Sequence, residues 1–192
     1  DKLDSQSWLK QIDRWKKKYP LKFPKRGGLR AQQILKELDR LTESRAIITT
    51  DVGQHQMWTA QFCKTNEERK WLSSGGAGTM GYGLPSAIGA QLGCPNDIVI
   101  AVVGDGGFQM TMSELATASI HKLPIKVLII NNRYLGMVRQ WQQMFFDNRE
   151  SGVDMMGNPD FVKIGEAYGI KGFHLRRTGD ITKVLQKALD YN

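Results

Sequence analysis

Three short stretches of the chain are apolar without a break: AII at 46–48, IVIAVV at 98–103 and VLII at 127–130. Each is too short for a buried helix and rich in β-branched residues. They predict strands over 46–50, 98–104 and 126–132, covered on both faces. Between them the apolar period lengthens. Ile34, Leu35, Leu38 and Leu41 line one face of a helix over 30–43, and Trp8, Leu9, Ile12 and Trp15 do so over 5–18. Further helices are predicted over 53–62, 82–92, 112–121, 136–145, 159–168 and 180–190. IKGFHLR (170–176) predicts one more short strand, whereas WLSS (71–74) does not pattern as a buried one.

Helices alternating with continuously apolar strands predict an α/β fold, a doubly wound parallel sheet with helices on both faces. Polar residues enter where the strands end, at Asp51, Asp105 and Asn131-Asn132. Open parallel sheets bind ligands outside the carboxyl ends of their strands, so three such ends predict one site.

Composition sharpens this picture in two places. The chain has 192 residues, 41% of them hydrophobic, enough for one well-cored domain. Its net charge of +8 is uneven: residues 1–30 hold ten Lys/Arg against three Asp/Glu. The basicity therefore belongs to an arm over 1–29, a helix and the linker YPLKFPKRGG, and the domain proper runs over 30–192. No basic and aromatic pattern recurs further on, so no nucleic-acid partner is expected. Cys63 and Cys94 make neither a disulfide framework nor a metal set. No stretch reaches the length of a membrane span, and the polar start DKLDSQSW does not read as a signal peptide. Lacking an initiator Met, the chain reads as a piece of a longer protein.

The chemistry starts at VIAVVGDGGF (99–108), where a buried strand ends on a carboxylate between glycines. Backbone N–H groups around GDGG favour a phosphate, which the carboxylate would repel unless a cation lay between them. Magnesium prefers oxygen ligands and binds through one or two protein groups plus substrate phosphates. Asn132 follows Asp105 by 27 residues, the length of a crossover helix and a strand, and offers an amide oxygen from the next strand end. Asp105 would then hold a metal, and the metal a diphosphate. Either motif alone reads as an ordinary turn.

GDG at 104–106 followed by NN at 131–132 resembles the thiamine-diphosphate-binding motif. TTDVGQHQMW (49–58), SGGAGTMGYGLPSAIGAQ (74–91) and GMVRQWQ (136–142) narrow the match. Over roughly residues 25–190 the chain resembles the C-terminal cofactor-binding domain of the acetohydroxyacid synthase (acetolactate synthase) family, large catalytic subunit.

The resemblance implies roles residue by residue. Asp105, Asn132 and the Tyr134 carbonyl would ligate Mg2+, and Gly53, Gln54 and His55 would contact the diphosphate. Gly78 and Met80 would lie against the aminopyrimidine, with Met80 holding the cofactor bent. Gly104, Gly106, Gly107 and Phe108 would continue the pocket, and Gly136, Met137 and Val138 would lie near the thiazolium. Met137, Val138 and Trp141 would line the substrate channel, where Trp141 meets sulfonylurea-type herbicides. The implied reaction joins a hydroxyethyl group from pyruvate to pyruvate or 2-ketobutyrate, giving acetolactate or acetohydroxybutyrate for branched-chain amino-acid synthesis. The family's activating glutamate and its FAD lie on other domains, so no catalytic residue is expected in this chain and the isolated fragment is expected to be inactive. A homodimer or homotetramer with its active site between subunits, and a regulatory small subunit, are implied partners. The compartment would be the cytoplasm in a bacterium, and a plastid or mitochondrion in a eukaryote.

Other readings remain open on the residues alone. GDG and NN also fit pyruvate oxidase, glyoxylate carboligase or a 2-keto-acid decarboxylase, or a cofactor-dead assembly module. Gly76 to Gly81 matches the dinucleotide fingerprint GxGxxG. Glu114 reads as a helix residue on the wrong side to replace the activating glutamate, and His121 and His174 read as structural. The family pattern also has an apolar strand and a short tail after ALDYN, so the domain reads as lacking its last strand. Residues 143–158 resemble a loop that closes over the site with ligand and is poorly ordered without it.

Overall fold

A computed structural model describes residues 5–24, 26–65, 68 and 70–191. Its centre is a four-stranded, wholly parallel sheet in the order β2-β1-β3-β4, with β1 Ile47–Thr50, β2 Trp71–Ser73, β3 Val99–Gly104 and β4 Lys126–Ile130. From β1 the chain crosses to β2 on one side, then returns past β1 to β3 on the other. The topological switch point therefore lies between β1 and β3, where parallel sheets open a crevice.

Alternation along β3 divides the core. Ile100 and Val102 face a cluster with Ile34, Leu35 and Leu38 of α2 (Ala31–Leu41), Phe62 of α3 (Gln54–Phe62), and Ile181 and Leu185 of α9 (Ile181–Asp190). Val99, Ala101 and Val103 face Leu84, Ala87 and Ile88 of α4 (Gly83–Gly93), Phe108 of α5 (Asp105–Thr111), and Leu115 and Ala118 of α6 (Leu115–Ile120). Phe161 and Ile164 of α8 (Phe161–Ala167) pack on that second cluster, and Asp160 caps α8 by accepting from the Val162 and Lys163 N–H groups. β3 is fully buried because both faces are covered. The expected doubly wound α/β fold is the one observed.

Three expectations need correction. The helix predicted over 112–121 begins earlier: α5 starts at Asp105, a 3₁₀ turn spans Met112–Glu114, and α6 follows. Two adjacent glycines lower helix propensity, but here tight packing holds them helical. WLSS does form a strand, β2, at the edge beside β1 and only half-buried, which is why it lacks a continuous apolar run. IKGFHLR forms no strand among the described residues. Ile170 and Leu175 pack into opposite clusters, and a side chain on Gly172 would press within 2.7 Å of Val162, so side-chain packing fixes this segment without ladder hydrogen bonds.

The basic arm carries α1 (Gln6–Lys18), none of whose residues is buried; Trp8 and Trp15 meet edge to face at 5.4 Å. Phe23 of the linker does reach the domain, meeting Phe62 edge to face at 5.3 Å. No described helix is long and apolar enough to cross a membrane.

Candidate cofactor site at the switch point

At the end of β1, Thr49 donates its hydroxyl to the Gly83 carbonyl at 2.7 Å and Thr50 donates to Ser73 Oγ at 3.0 Å. Asp51 follows, fully buried, and its Oδ1 accepts from the Gly83 N–H at 2.5 Å. Its Oδ2 has no partner and lies against Gly107, where any side chain would collide with it. Burial raises the Asp51 pKa, opposed by the N–H groups of Gly83 and Gly81. Asp51 thus ties the strand end to the start of α4 and to the loop carrying Gly78 and Met80.

His55, on the first turn of α3, is 6% exposed, and its ring lies between two glycines. A Cβ on Gly53 would come within 2.8 Å of Cε1, and one on Gly104 within 2.8 Å of Nδ1. Burial pushes its pKa down to about 4, so the imidazole is neutral near pH 7, and Nε2 has no partner in the protein.

Asp105 opens α5 at the end of β3 and is 2% exposed. Its Oδ2 accepts from the Arg133 N–H at 2.9 Å and from Asn158 Nδ2 at 2.6 Å. Burial raises its pKa, with those hydrogen bonds pulling the other way. Arg133 directly follows Asn132, so the two motifs meet in one turn. Asn132 Oδ1 accepts from the Tyr134 N–H at 3.0 Å, and Nδ2 donates to Gln54 Oε1 at 3.2 Å. Gln54 in turn donates to Gln140 Oε1 at 3.0 Å. Gly136, at the start of α7 (Gly136–Phe145), makes room for this bridge: a Cβ there would lie 2.6 Å from Asn132 Nδ2 and collide with Gln54.

The remaining predicted residues divide. Met80 Cε, Met155 Sδ and Leu135 Cδ2 converge on Gly106, at 3.3, 3.1 and 2.7 Å from where its Cβ would be. Met137 is half-buried, whereas Val138 and Trp141 are exposed on α7. Gly78 is exposed in the 74–82 loop with φ +68°, a conformation suited to glycine. Phe108 turns away, meeting Phe161 edge to face at 5.5 Å in the core, so only its backbone is available to a ligand. A cleft of about 290 Å³ runs beside the turn, lined by Gln54, Trp58, Asn132, Tyr134, Arg139 and Gln140 among others.

These features suit a phosphate-bearing cofactor held through a hard cation. The Asp105 carboxylate is nearly water-free, and two buried polar atoms at the switch point, Asp51 Oδ2 and His55 Nε2, have no hydrogen-bond partner in the protein. The side chains that the two motifs bring to this turn, Asp105 and Asn132, offer carboxylate and amide oxygens, a set that suits magnesium. Among the described residues no group of three or more His, Cys, Asp or Glu side chains gathers, which sets the site apart from a zinc centre.

Sequence reasoning missed Asn158, Leu135, Met155 and Gln140. Asn158 lies 53 positions from Asp105, in a polar stretch that carries no motif. Asp51 was visible as a strand-end acid, but its bond to Gly83 was not.

Residues 51–192 match the family described as the thiamine pyrophosphate enzyme C-terminal TPP-binding domain, thiamine pyrophosphate being thiamine diphosphate. The chain is 51% identical over 187 residues to the acetolactate synthase large subunit of Pyropia yezoensis, covering 96% of this chain and 31% of that protein. It is 42% identical over 184 residues to the isozyme 3 large subunit of Escherichia coli K12, covering 95% and 32%. To acetolactate synthase 2, chloroplastic, of Nicotiana tabacum it is 41% identical over 198 residues, covering 98% and 30%. The chain spans about a third of the length of these curated relatives. With Asp105 and the Asn132 turn joined at the switch point, and the match running from Asp51 onward, the chain belongs to the C-terminal TPP-binding domains of the thiamine pyrophosphate enzymes.

Proposed function

We propose that the chain is the cofactor-binding part of an acetolactate synthase large subunit, joining pyruvate to pyruvate or 2-ketobutyrate. The observation that carries the site is the Arg133 N–H on Asp105 Oδ2 at 2.9 Å, which links the two ligand-bearing strand ends. Asp105, Asn132 and the Tyr134 carbonyl hold Mg2+. Gly53, Gln54 and His55 border the diphosphate, His55 as a neutral ring whose Nε2 awaits a partner. Met80, over Gly106 with Leu135 and Met155, forms an apolar shelf for the cofactor's rings. When bound, thiamine diphosphate supplies the carbanion-stabilising centre for 2-keto-acid chemistry. The chain's own part is to orient it and keep the metal end out of water.

In this reading FAD and the activating glutamate come from outside the 192 residues, and the 192-residue chain alone forms no acetolactate. The large-subunit names of the relatives support a separate small subunit and a homo-oligomer, and the names and sources of the relatives support a bacterial or plastid setting.

The test uses the full-length subunit with pyruvate, Mg2+ and thiamine diphosphate. Acetolactate as product, with cofactor binding abolished in Asp105→Ala and Asn132→Ala, is the expected result. Acetyl phosphate or acetaldehyde would reassign the chemistry, and intact binding in both variants would remove the site.

A further inference from the structure

We propose that Asn158 is a positioning residue for the metal: it fixes which oxygen of Asp105 meets the cation. The inference rests on the cofactor reading above and adds a residue from outside both sequence motifs.

The amide of Asn158 is constrained on three sides. Its Nδ2 donates to Asp105 Oδ2 at 2.6 Å and to Asn131 Oδ1 at 3.2 Å, while its Oδ1 accepts from Gln109 Nε2 at 2.9 Å. Gln109 Nε2 is placed by a further bond to the Asp105 carbonyl at 3.3 Å. A flipped amide would set a carbonyl oxygen against the carboxylate and an NH2 against an NH2, so the orientation is determined by chemistry. The carboxylate therefore receives a charge-assisted bond at 2.6 Å on the same oxygen that takes the Arg133 N–H. Oδ2 thus takes both hydrogen bonds that reach the carboxylate from other segments, while only the N–H groups of its own turn, Asp105 and Gly106, also act on the carboxylate, so Oδ1 is the oxygen assigned to the divalent ion.

Asn158 also belongs to the segment that holds the Asn132 turn. The Met155 N–H donates to the Arg133 carbonyl at 3.0 Å, the Leu135 N–H donates to the Val153 carbonyl at 2.9 Å, and Tyr134 and Asp154 form an antiparallel bridge. Val153 is buried, which anchors the segment. One stretch, 153–158, thus grips the carboxylate with a side chain and the neighbouring turn with its backbone. Groups that bond to metal ligands typically set metal affinity by 10–100-fold.

The experiment titrates Mg2+, and in parallel Mn2+, into the full-length subunit at saturating thiamine diphosphate, followed by calorimetry. Melting temperatures are recorded without metal. The expected result for Asn158→Ala is a Kd for both ions raised about 10–100-fold, a metal-free melting temperature close to wild type, and recovery of cofactor binding at saturating Mg2+. Gln109→Leu, which only releases the amide, loses less than Asn158→Ala. Should Asn158→Ala fail to fold, Gln109→Leu carries the test alone: unchanged ion affinity there overturns the inference. Unchanged affinity in Asn158→Ala, or a loss matched by a fall in the metal-free melting temperature, also overturns it. A wild-type subunit that takes up no Mg2+ and cofactor, or an Asp105→Ala that takes them up normally, overturns the cofactor reading and this inference together.

Discussion

The imidazole of His55 occupies the space that a side chain at position 104 would need: a Cβ on Gly104 would lie 2.8 Å from Nδ1 and 3.0 Å from Cε1. Ring and glycine are a matched pair across the switch point, one from α3 and one from β3. Gly104→Ala should destabilise the domain by about 1–3 kcal/mol through overpacking. In a His55→Ala background the same change should cost far less, because the ring is gone. Urea unfolding of the four members of this cycle checks the coupling, and additive losses would dissociate the pair.

His55 also gives a pH prediction. Its folded pKa of about 4 lies below the ordinary 6.5, so between those values the unfolded chain binds more protons and stability rises with pH. Stability is retained above pH 6.5 and lost as pH falls towards 4, by about 3 kcal/mol in full. Denaturation midpoints of the cofactor-free protein across this range should show the slope, and His55→Gln should flatten it. Asp51 and Asp105, whose pKa values are raised, slope the opposite way between the ordinary value of 3.8 and their folded values.

Gly136 allows Gln54 to reach the Asn132 amide. Gly136→Ala would force the two apart, since its Cβ would stand 2.6 Å from Asn132 Nδ2 and strike Gln54. The expected outcome is a Mg2+ affinity at least ten-fold weaker in the full-length subunit, on the scale of lost outer-sphere support. Shortening the obstacle with Gln54→Ala should restore part of it. Calorimetric titration of both variants decides.

Trp141 is 60% exposed and touches Phe145 edge to face at 5.9 Å. Trp141→Ala should leave stability within about 0.5 kcal/mol of wild type, as exposed substitutions generally do. If the residue lines the route to the cofactor, the same variant should lose sulfonylurea-type inhibition. Thermal melts and inhibition curves on the full-length enzyme separate the two effects.

Much of this was legible in the chain. β1, β3 and β4 follow from uninterrupted apolar runs, and the acid and asparagine at two strand ends point to one place because a parallel sheet aligns its carboxyl ends. Edge structure was harder. Trp71–Ser73 pairs on one side only, so half-buried residues weaken the signal a central strand carries. IKGFHLR has strand-like composition, yet packing of Ile170 and Leu175 into different clusters decides its path. The 143–158 segment was expected near the site, but Asn158 and Met155 within it could not be singled out, because their roles depend on contacts about fifty positions away, with neither charge nor periodicity to mark them. Phe108 illustrates the converse: a motif neighbour whose side chain belongs to the core.

Arg133 holds φ +61° while its side chain points to solvent, so this position is occupied for the shape of its main chain. That crank delivers its N–H to Asp105 and turns the chain directly after Asn132. The protruding guanidinium is consequently an adjustable knob. Asparagine or glycine would keep the bend and erase a positive charge at the rim, whereas valine or isoleucine would oppose it and loosen the turn that joins Asp105 to Asn132.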